Sequence, residues 1–291
     1  MIDRTDLTRI HQPTVSEVCS RLDLFAPPRL AESWDNTGLL LGRSDVPVHK
    51  ILTCLTLTES VAWEAAGMAA QLVVSHHPLF FRPVRKITES TAEGRTVLLL
   101  LERGIAVYCP HTAFDGAASG INQQLAASLG LQSITPLRPA TDDPSSGGGR
   151  FGVYPEPVPR HEFLRRVQTV TGASWLEWSG AGPEQVWRVG IGCGAGGDFL
   201  TAAADRGCDT FITGEARFHG ILEAMSLGMN LVLAGHYESE RPGVEELARQ
   251  IREWFPQVDS RAARAEQNPL QLFCGQAGAT AEKVEGRIKH V

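Results

Sequence analysis

The sequence predicts an α/β protein of two linked α/β domains with similar topology and mostly parallel sheets. Short β-branched runs alternate along the chain with amphipathic stretches of about ten to fifteen residues, a pattern typical of a parallel sheet with helices on its faces. The 291 residues, 43% of them hydrophobic, suffice for two ordinary domains that each bury a core. The strand pattern of the first half recurs in the second. This favours an internal duplication, although two short α/β units can resemble each other without one.

Six apolar runs are predicted to be strands, with helices between and after them. The strands are KILTCLTL (50–57), QLVVS (71–75), IAVYC (105–109), WRVGIGC (187–193), DTFIT (209–213) and NLVLA (230–234). The predicted helices cover 60–70, 93–103, 120–129, 161–170, 215–227 and 242–254. Each half of the chain therefore contributes three strands to the predicted sheets.

A segment without periodicity separates the two halves. Residues 136–150, PLRPATDDPSSGGGR, are dense in Pro, Gly, Ser and Asp, which predicts a connection. We therefore expect an N-terminal α/β domain over 1–138 and a second α/β domain over 139–275. Residues 276–291, at the end of the small and polar sequence GQAGATAEKVEGRIKHV, are expected to form a flexible tail.

Charge and cysteine usage limit the classes of function. The formal net charge is -6 and no dense block of Lys and Arg occurs, which disfavours a nucleic-acid partner. No apolar run approaches the roughly 18 to 20 residues of a membrane helix, and MIDRTDLTRIHQ is too polar for a signal peptide. We expect a cytoplasmic protein that does not enter membranes. The six cysteines stand singly, without a C-x-x-C pair, and are expected to be reduced core residues rather than metal ligands.

Two adjacent histidines, His76 and His77, close the apolar run LVVSHHPLFF. Neighbouring residues within a strand point to opposite faces, so two such rings could not share a ligand there. At the strand end, with Pro78 holding His77 extended, the chain leaves the sheet and both rings can turn to one place. Taken alone, the pair favours a polar cap of the strand, in which one ring bonds to backbone and the other faces solvent.

Three apolar runs end in histidine: VVSHH, VYCPH and VLAGH. In open α/β sheets ligands bind beyond the carboxyl ends of the strands, so these histidines can converge. Two of the runs continue as His-x-x-x-carboxylate, namely His111 with Asp115 and His236 with Glu240. Imidazoles and carboxylates without thiolates suit Zn, Mn, Fe or Ni. Because five or more ligands exceed what one catalytic zinc needs, we predict two metal ions that share a carboxylate.

Six motifs together make the chain resemble a known family: SWDNTGLLLG, VVSHHPLFF, HTAFD, GINQQLAASLGL, TGEARFH and AGHYESERPG. From about residue 16 to residue 269 it is similar to the GTP cyclohydrolase 1 type 2 family, also called the NIF-three-like dinuclear metal-centre proteins. The resemblance implies two linked α/β domains, a toroidal homohexamer and a dinuclear metal site at the domain junction. It also implies the metal ligands His76, His77, Asp115, His236 and Glu240. The domain that many relatives insert between the halves is absent here.

These observations predict a metal-dependent hydrolase in which two divalent ions (Zn, Mn, Fe or Ni) lower the pKa of a bridging water. The resemblance implies a GTP cyclohydrolase-like reaction, so the expected small-molecule substrate is a nucleotide or related heterocycle. His111 and His219 are candidate catalytic residues that manage protons. The alternatives are a hydrogen-bonded structural histidine at 111 and a surface histidine at 219, beside a capping Glu215. The rival function is a non-catalytic metal-binding or regulatory hexameric scaffold.

Two further stretches allow more than one interpretation. GIGCGAGGDF follows a predicted strand and could cradle a phosphate with backbone N–H groups, but it matches neither nucleotide fingerprint. SWDNTGLL contains a turn and Trp34, whose ring is either packed on the protein or free to stack on a base. Many members of the resembled family carry an acidic residue where this chain has Thr56. That departure puts no metal ligand in doubt.

Overall fold

The structure is a computed structural model that describes residues 11–273. Its α-helices are α1 Val15–Phe25, α2 Glu59–Gly67, α3 Ala92–Glu102, α4 His111–Gly116, α5 Ile121–Ser128, α6 Arg160–Thr171, α7 Leu200–Asp205, α8 Phe218–Ser226 and α9 His236–Trp254. Its strands are β1 Gly38–Leu41, β2 Lys50–Cys54, β3 Leu72–Ser75, β4 Ala106–Cys109, β5 Gln132–Thr135, β6 Arg138–Pro139, β7 Gly147–Gly148, β8 Arg150–Pro159, β9 Glu177–Gly180, β10 Gln185–Gly192, β11 Thr210–Thr213, β12 Asn230–Leu233 and β13 Asp259–Ala262. Short 3₁₀ turns occur at Pro28–Leu30 and Gly196–Phe199.

The first sheet has the strand order β1-β4-β3-β2-β13. Strands β13, β2, β3 and β4 are parallel, and β1 pairs antiparallel with β4 at the edge. Every residue of β3 and β4 is buried, as expected for parallel strands that are covered on both faces. The three strands predicted in the first half are thus adjacent and parallel.

The second sheet has the order β5-β8-β10-β11-β12-β9, in which β10, β11 and β12 are parallel. These are the three strands predicted in the second half, so the α/β class and the parallel centres of both sheets are confirmed. Strands β5, β8 and β9 add antiparallel pairs that the sequence pattern did not predict. Three prolines in the second part of β8, RFGVYPEPVP, concealed it, because proline usually argues against a strand.

Two predicted helices begin at other residues than expected. Helix α9 begins at His236, six residues before the predicted start, and carries Pro242 in its interior. Helix α8 begins at Phe218 rather than at residue 215, and the backbone N–H of Glu215 donates to the carbonyl of Gly194 in a neighbouring loop. The earlier start of α9 matters for function, since it places His236 and Glu240 on one helix.

The predicted connection at 136–150 is a loop with a small ribbon, in which β6 pairs with β7. The loop ends at Arg150, the first residue of β8, which is fully buried. The Arg150 guanidinium donates to the carbonyls of Gly147, Gly149 and Ala117 and so fastens the loop to the end of α4.

The division of the chain into domains at residue 138 stays a prediction, and one strand crosses it. Strand β13 falls within the range assigned to the second domain but pairs with β2 of the first sheet. The reason is that α9 turns its apolar face to the first core, where Leu247 and Ile251 pack with Ile51 and Leu72. The predicted tail at 276–291 lies outside the described residues, and no helix within 11–273 is long and apolar enough to cross a membrane.

Candidate metal centre

The adjacent histidines follow β3 and continue its backbone hydrogen bonding to β2 and the residue after it. The backbone N–H of His76 donates to the carbonyl of Cys54, and that of His77 to the carbonyl of Leu55. Their rings nevertheless approach the same place, with centroids 5.2 Å apart. The His76 side chain is 1% exposed, whereas that of His77 is partly open to solvent. The strand end thus presents both imidazoles to one site.

Glu240 occupies the middle of this site. It lies one turn after His236 on α9, and its side chain is 6% exposed. One carboxylate oxygen, Oε2, is 3.2 Å from His77 Nε2 and 3.1 Å from His236 Nε2. The other, Oε1, is 3.8 Å from His76 Nε2. The carboxylate therefore points one oxygen to each side of the site.

Asp115, on α4, completes the second side, with its Oδ1 3.6 Å from His76 Nε2. Two groups of side chains that could hold a metal ion share Glu240: one adds His76 and Asp115, the other His77 and His236. Within each group the candidate ligand atoms lie within 4.8 Å of one another. No cysteine of residues 11–273 belongs to such a group. The five predicted metal-binding residues are thus brought together.

Unpaired polar atoms indicate that the site fits a cation. Both ring nitrogens of His76 and Oδ1 of Asp115 are buried without a hydrogen-bond partner. Such groups normally cost stability unless something pairs with them. Burial and the nearby Glu240 raise the pKa of Asp115 well above its usual range. Burial also lowers the pKa of His76 to about 4, so its ring is neutral at pH 7, as a metal ligand must be.

Glu240 and His236 hold opposite charges. Burial acts to raise the pKa of Glu240, but the imidazoles of His236, His76 and His77 outweigh it and keep that pKa well below its usual range. The hydrogen bond with Glu240 in turn raises the pKa of His236 to about 9. Without metal, this pair is therefore a protonated imidazole against an ionised carboxylate. A divalent cation would replace that proton.

His111 enters the site from the first residue of α4 and is held by a residue that the sequence analysis missed. Its Nδ1 lies 2.7 Å from Oδ1 of Asp35, whose side chain is 0% exposed. The other Asp35 oxygen accepts hydrogen bonds from the backbone N–H and hydroxyl of Thr112. Despite its burial, these bonds lower the pKa of Asp35 to about 2. The signal for this role was the lone carboxylate in SWDNTG, which the turn motif concealed.

A cavity of about 670 Å³ opens onto the cluster. His77, His111, Asp115, His236 and Glu240 line it. Further lining side chains come from the loops around both sheets, among them Trp34, Phe81, Arg138 and Phe199. The cluster is therefore accessible to a small molecule as well as to an ion.

A family model described as Duf34/NIF3 (NGG1p interacting factor 3) matches residues 13–269. The chain belongs to the Duf34/NIF3 family. A GTP cyclohydrolase 1 type 2 homolog of Clostridium perfringens is 30% identical over 239 residues, which cover 82% of this chain and 91% of the relative. The protein NIF3 homolog of Schizosaccharomyces pombe is 33% identical over 226 residues, 74% of this chain and 80% of the relative. The family predicted from the motifs is confirmed.

Solved structures of two other bacterial proteins share the fold. A Staphylococcus aureus hypothetical protein superposes with a TM-score of 0.82 at 23% identity, covering 90% of this chain and all of the other. A Bacillus cereus protein related to NIF3 gives the same TM-score and coverage at 21% identity. At such identities the likeness concerns the fold alone.

The second predicted catalytic residue lies elsewhere in this Duf34/NIF3 chain. His219 is exposed on the first turn of α8, and its ring lies near that of Phe218. Among the described residues, no hydrogen bond or ion pair joins His219 to the cluster, and it does not line the cavity. Its neighbour in the motif, Glu215, is closer to the site, with Oε1 3.5 Å from His236 Nδ1. A catalytic role for His219 stays a prediction without a contact to support it.

Outer nitrogens of two cluster histidines have partners that orient the rings. Thr56 Oγ1 lies 2.8 Å from His77 Nδ1, and Glu215 approaches the corresponding nitrogen of His236. Thr56 is itself fixed, because its backbone N–H donates to the buried carboxylate of Glu266. Partners of this kind set the tautomer and orientation of a metal-binding histidine. Both rings thus direct Nε2 toward Glu240.

Proposed function

We propose that this chain is a dinuclear-metal-dependent hydrolase that acts on a nucleotide or a related heterocycle. The observation that carries the proposal is the position of Glu240, whose two oxygens face two different sets of ligands. A shared carboxylate of this kind is typical of two-metal hydrolytic sites. The printed name of the bacterial relatives, GTP cyclohydrolase 1 type 2 homolog, supports the reaction class.

In this proposal His76, Asp115 and Glu240 hold one divalent ion, and His77, His236 and Glu240 hold the other. The nitrogen and oxygen donors suit Zn, Mn, Fe or Ni. Two such ions supply Lewis-acid stabilisation of negative charge and lower the pKa of a bound water. Each set offers three protein ligands, which is the number that leaves a catalytic ion a position for water or substrate.

His111 is the residue of this chain that is suited to moving a proton in that reaction. Asp35 fixes one ring nitrogen, and the ring lines the cavity beside His76 and His77. The buried carboxylate of Asp35 favours a proton on Nδ1, which leaves the other ring nitrogen to take or give a proton in the cavity. Asp35 acts here as a positioning residue.

The protein is further proposed to work as a closed homo-oligomer, a toroidal hexamer, in the cytoplasm. Helix α8 presents Phe218, Leu222 and Met225 to solvent at a spacing that places them on one side of the helix. Exposed apolar side chains that cluster in this way favour contacts with another protein surface. Closed symmetry is the usual outcome for such contacts between identical chains.

The experiment is metal analysis of the purified chain followed by a nucleotide panel read by product mass, with a chelated sample as control. The proposal expects about two ions per chain and hydrolysis that chelation abolishes and divalent metal restores. The alternative, a non-catalytic metal-binding or regulatory hexamer, expects the same ions without turnover of any compound in the panel. A chain that binds no metal would contradict both functions.

A further inference from the structure

The glycine-rich stretch that follows β10 lies against the candidate metal centre. In GIGCGAGGDF, β10 ends at Gly192, and Gly194 comes two residues later. Gly194 is buried, and a Cβ placed on it would lie 2.0 Å from Oε1 of Glu240. Outside that carboxylate, the nearest atom would be His236 Nε2, at 3.2 Å. The shared carboxylate therefore occupies the space that a side chain at position 194 would need.

The backbone of Gly194 is held by the protein on both sides. Its N–H donates to Oγ of Ser239 on α9, and its carbonyl accepts hydrogen bonds from the Thr213 hydroxyl and the backbone N–H of Glu215. Oγ of Ser239 in turn donates to the carbonyl of His236. Because its N–H is already bonded to Ser239, Gly194 does not act as a phosphate cradle, which was one interpretation of the sequence.

The same loop is joined to the other carboxylate of the site through Asn122, which is 2% exposed. The side-chain oxygen of Asn122 accepts a hydrogen bond from the backbone N–H of Cys193, and its amide group donates to the carbonyl of Asp115. Asp115 and Oε1 of Glu240 are the oxygens that approach His76. The glycine-rich loop is therefore connected to both carboxylates of the ligand set that contains His76.

The two oxygens of Glu240 have different surroundings. Oε2 lies beside His77 and His236, whereas Oε1 faces His76 and lies closest to the position of a Cβ on Gly194. Four hydrogen bonds hold the loop at residues 193 and 194, while the carboxylate is the far end of a flexible side chain. Extra volume in a packed site displaces the group that moves most easily. A Cβ at 194 would therefore displace Oε1 and leave the backbone in place.

We propose that Gly194 is a positioning residue that allows Glu240 to serve two ions at once. A side chain at this position turns the dinuclear centre into a mononuclear one, and the ion that remains is the one held by His77 and His236. This inference rests on the proposed function, since it requires the two-ion centre, and it adds what fixes the shared carboxylate. Changes to groups that orient a metal ligand commonly alter metal affinity by about 10- to 100-fold.

Metal binding to the full chain tests this role without reference to activity. The chelated protein is reconstituted with Co²⁺, and the ions per chain are measured by mass spectrometry. Wild type should bind about two ions and Gly194→Ala about one. The absorption bands of Co²⁺ report its ligands and geometry. The spectrum of Gly194→Ala should therefore match that of Asp115→Asn, which loses the ion held with His76, and differ from that of His236→Gln.

The matched control is Gly104→Ala, after α3. Gly104 has φ +64, close to the +59 of Gly194, but nothing lies within 4 Å of a Cβ placed on it. Both substitutions impose the same backbone strain, so Gly104→Ala should keep both ions. A second variant, Ser239→Ala, removes one hydrogen bond of the loop without adding volume. It should weaken one of the two ions about tenfold, measured by competition with a chelator, and leave the other unchanged.

Two ions and a wild-type spectrum in Gly194→Ala would overturn the role of Gly194 while the dinuclear centre stood. Equal metal loss in Gly104→Ala would assign the effect to backbone strain and overturn it as well. If circular dichroism showed that Gly194→Ala does not fold, Ser239→Ala would decide, and an unchanged ratio of its two dissociation constants would reject the inference. A wild-type chain that binds a single ion would instead contradict the proposed function on which the inference rests.

Discussion

Two turns of the molecule share the pattern His-x-x-x-carboxylate but use it differently. On α9, His236 and Glu240 lie one turn apart on the same face, 3.1 Å from each other, and both enter the cluster. On α4, Asp115 approaches His76, whereas His111 lies beside the rings of His76 and His77 and pairs through Nδ1 with Asp35, outside the two groups that share Glu240. The spacing is equal, so it does not decide the roles.

The two helices differ in the backbone conformation at their starts. His111 begins a helix of six residues with φ 28, a value that non-glycine residues rarely adopt. His236 instead follows Gly235, which takes the positive φ of 90 itself, and begins a helix of 19 residues. The histidine of α9 is therefore in helical register with its carboxylate, whereas the histidine of α4 is not.

The largest expected effect distinguishes the two carboxylates. Glu240→Gln keeps the shape but removes the charge that faces both ligand sets, so it should lose at least one ion, and both if the shared carboxylate holds the pair. Asp115→Asn should lose only the ion held with His76. The number of metal ions per chain, measured by mass spectrometry, distinguishes the two variants. The control is Glu245→Gln, on the exposed side of α9, which should keep its metal. Full occupancy in Glu240→Gln would remove the basis of the dinuclear assignment.

The histidines of the two turns should differ in kind. His236→Gln should lose metal, whereas His111→Gln should keep both ions and lower the hydrolytic rate by about 100-fold, the scale of general acid–base catalysis. Metal content and turnover are measured on both variants side by side. Equal metal loss in the two would make His111 a ligand and remove the difference between the turns.

Cysteines lie close to the starts of both helices, α4 and α9. Replacing these thiols tests whether a cysteine is a metal ligand in addition to the histidines and carboxylates. Cys109 precedes α4 and donates to the carbonyl of His76, while Cys193 lines the cavity. Changing Cys54, Cys109 and Cys193 together to Ala should leave metal content intact and reduce the free energy of unfolding by about 1 to 3 kcal/mol. Loss of both ions with an unchanged circular dichroism spectrum would show that a thiolate belongs to the site.

The smallest expected effect concerns the partner of His111. Because the pKa of Asp35 falls to about 2 in the folded chain, its carboxylate stabilises the fold above its unfolded pKa of about 4. That contribution is lost as pH falls through about 2. Urea unfolding of the chelated protein should therefore show a gap between wild type and Asp35→Asn that is constant near neutral pH and narrows below about pH 4. A gap independent of pH would mean that Asp35 contributes by shape alone.

Much of the site could be predicted because it depends on topology. Parallel strands end at one edge of a sheet, so histidines that follow such strands converge whatever the details of packing. Asp35 could not be predicted in the same way, since 76 residues separate it from His111 and nothing local marks the contact. His219 shows the opposite error, because its position after a strand suggested the cleft but α8 turns it to solvent.

The missed elements of the fold have similar causes. Strand β13 reads DSRA and carries no apolar run, so its place beside β2 depends entirely on where α9 delivers it. The predicted start of α9 at Pro242 was too late, because a proline is usually unfavourable in the interior of a helix and is expected at its beginning. Packing of α9 on the first core outweighs that local penalty.

The return of β13 to the first sheet sets an order of events on the ribosome. Strand β2 is complete at residue 54, but its partner β13 ends only at residue 262, about 200 residues later. At typical synthesis rates of about 5 to 20 residues per second, that edge stays unpaired for about 10 to 40 seconds. Glu240 and His236 emerge shortly before β13, so the nascent chain can carry His76, His77 and Asp115 for most of its synthesis without their shared carboxylate. The complete set of five cluster side chains therefore exists only late in synthesis, when the first sheet can also close.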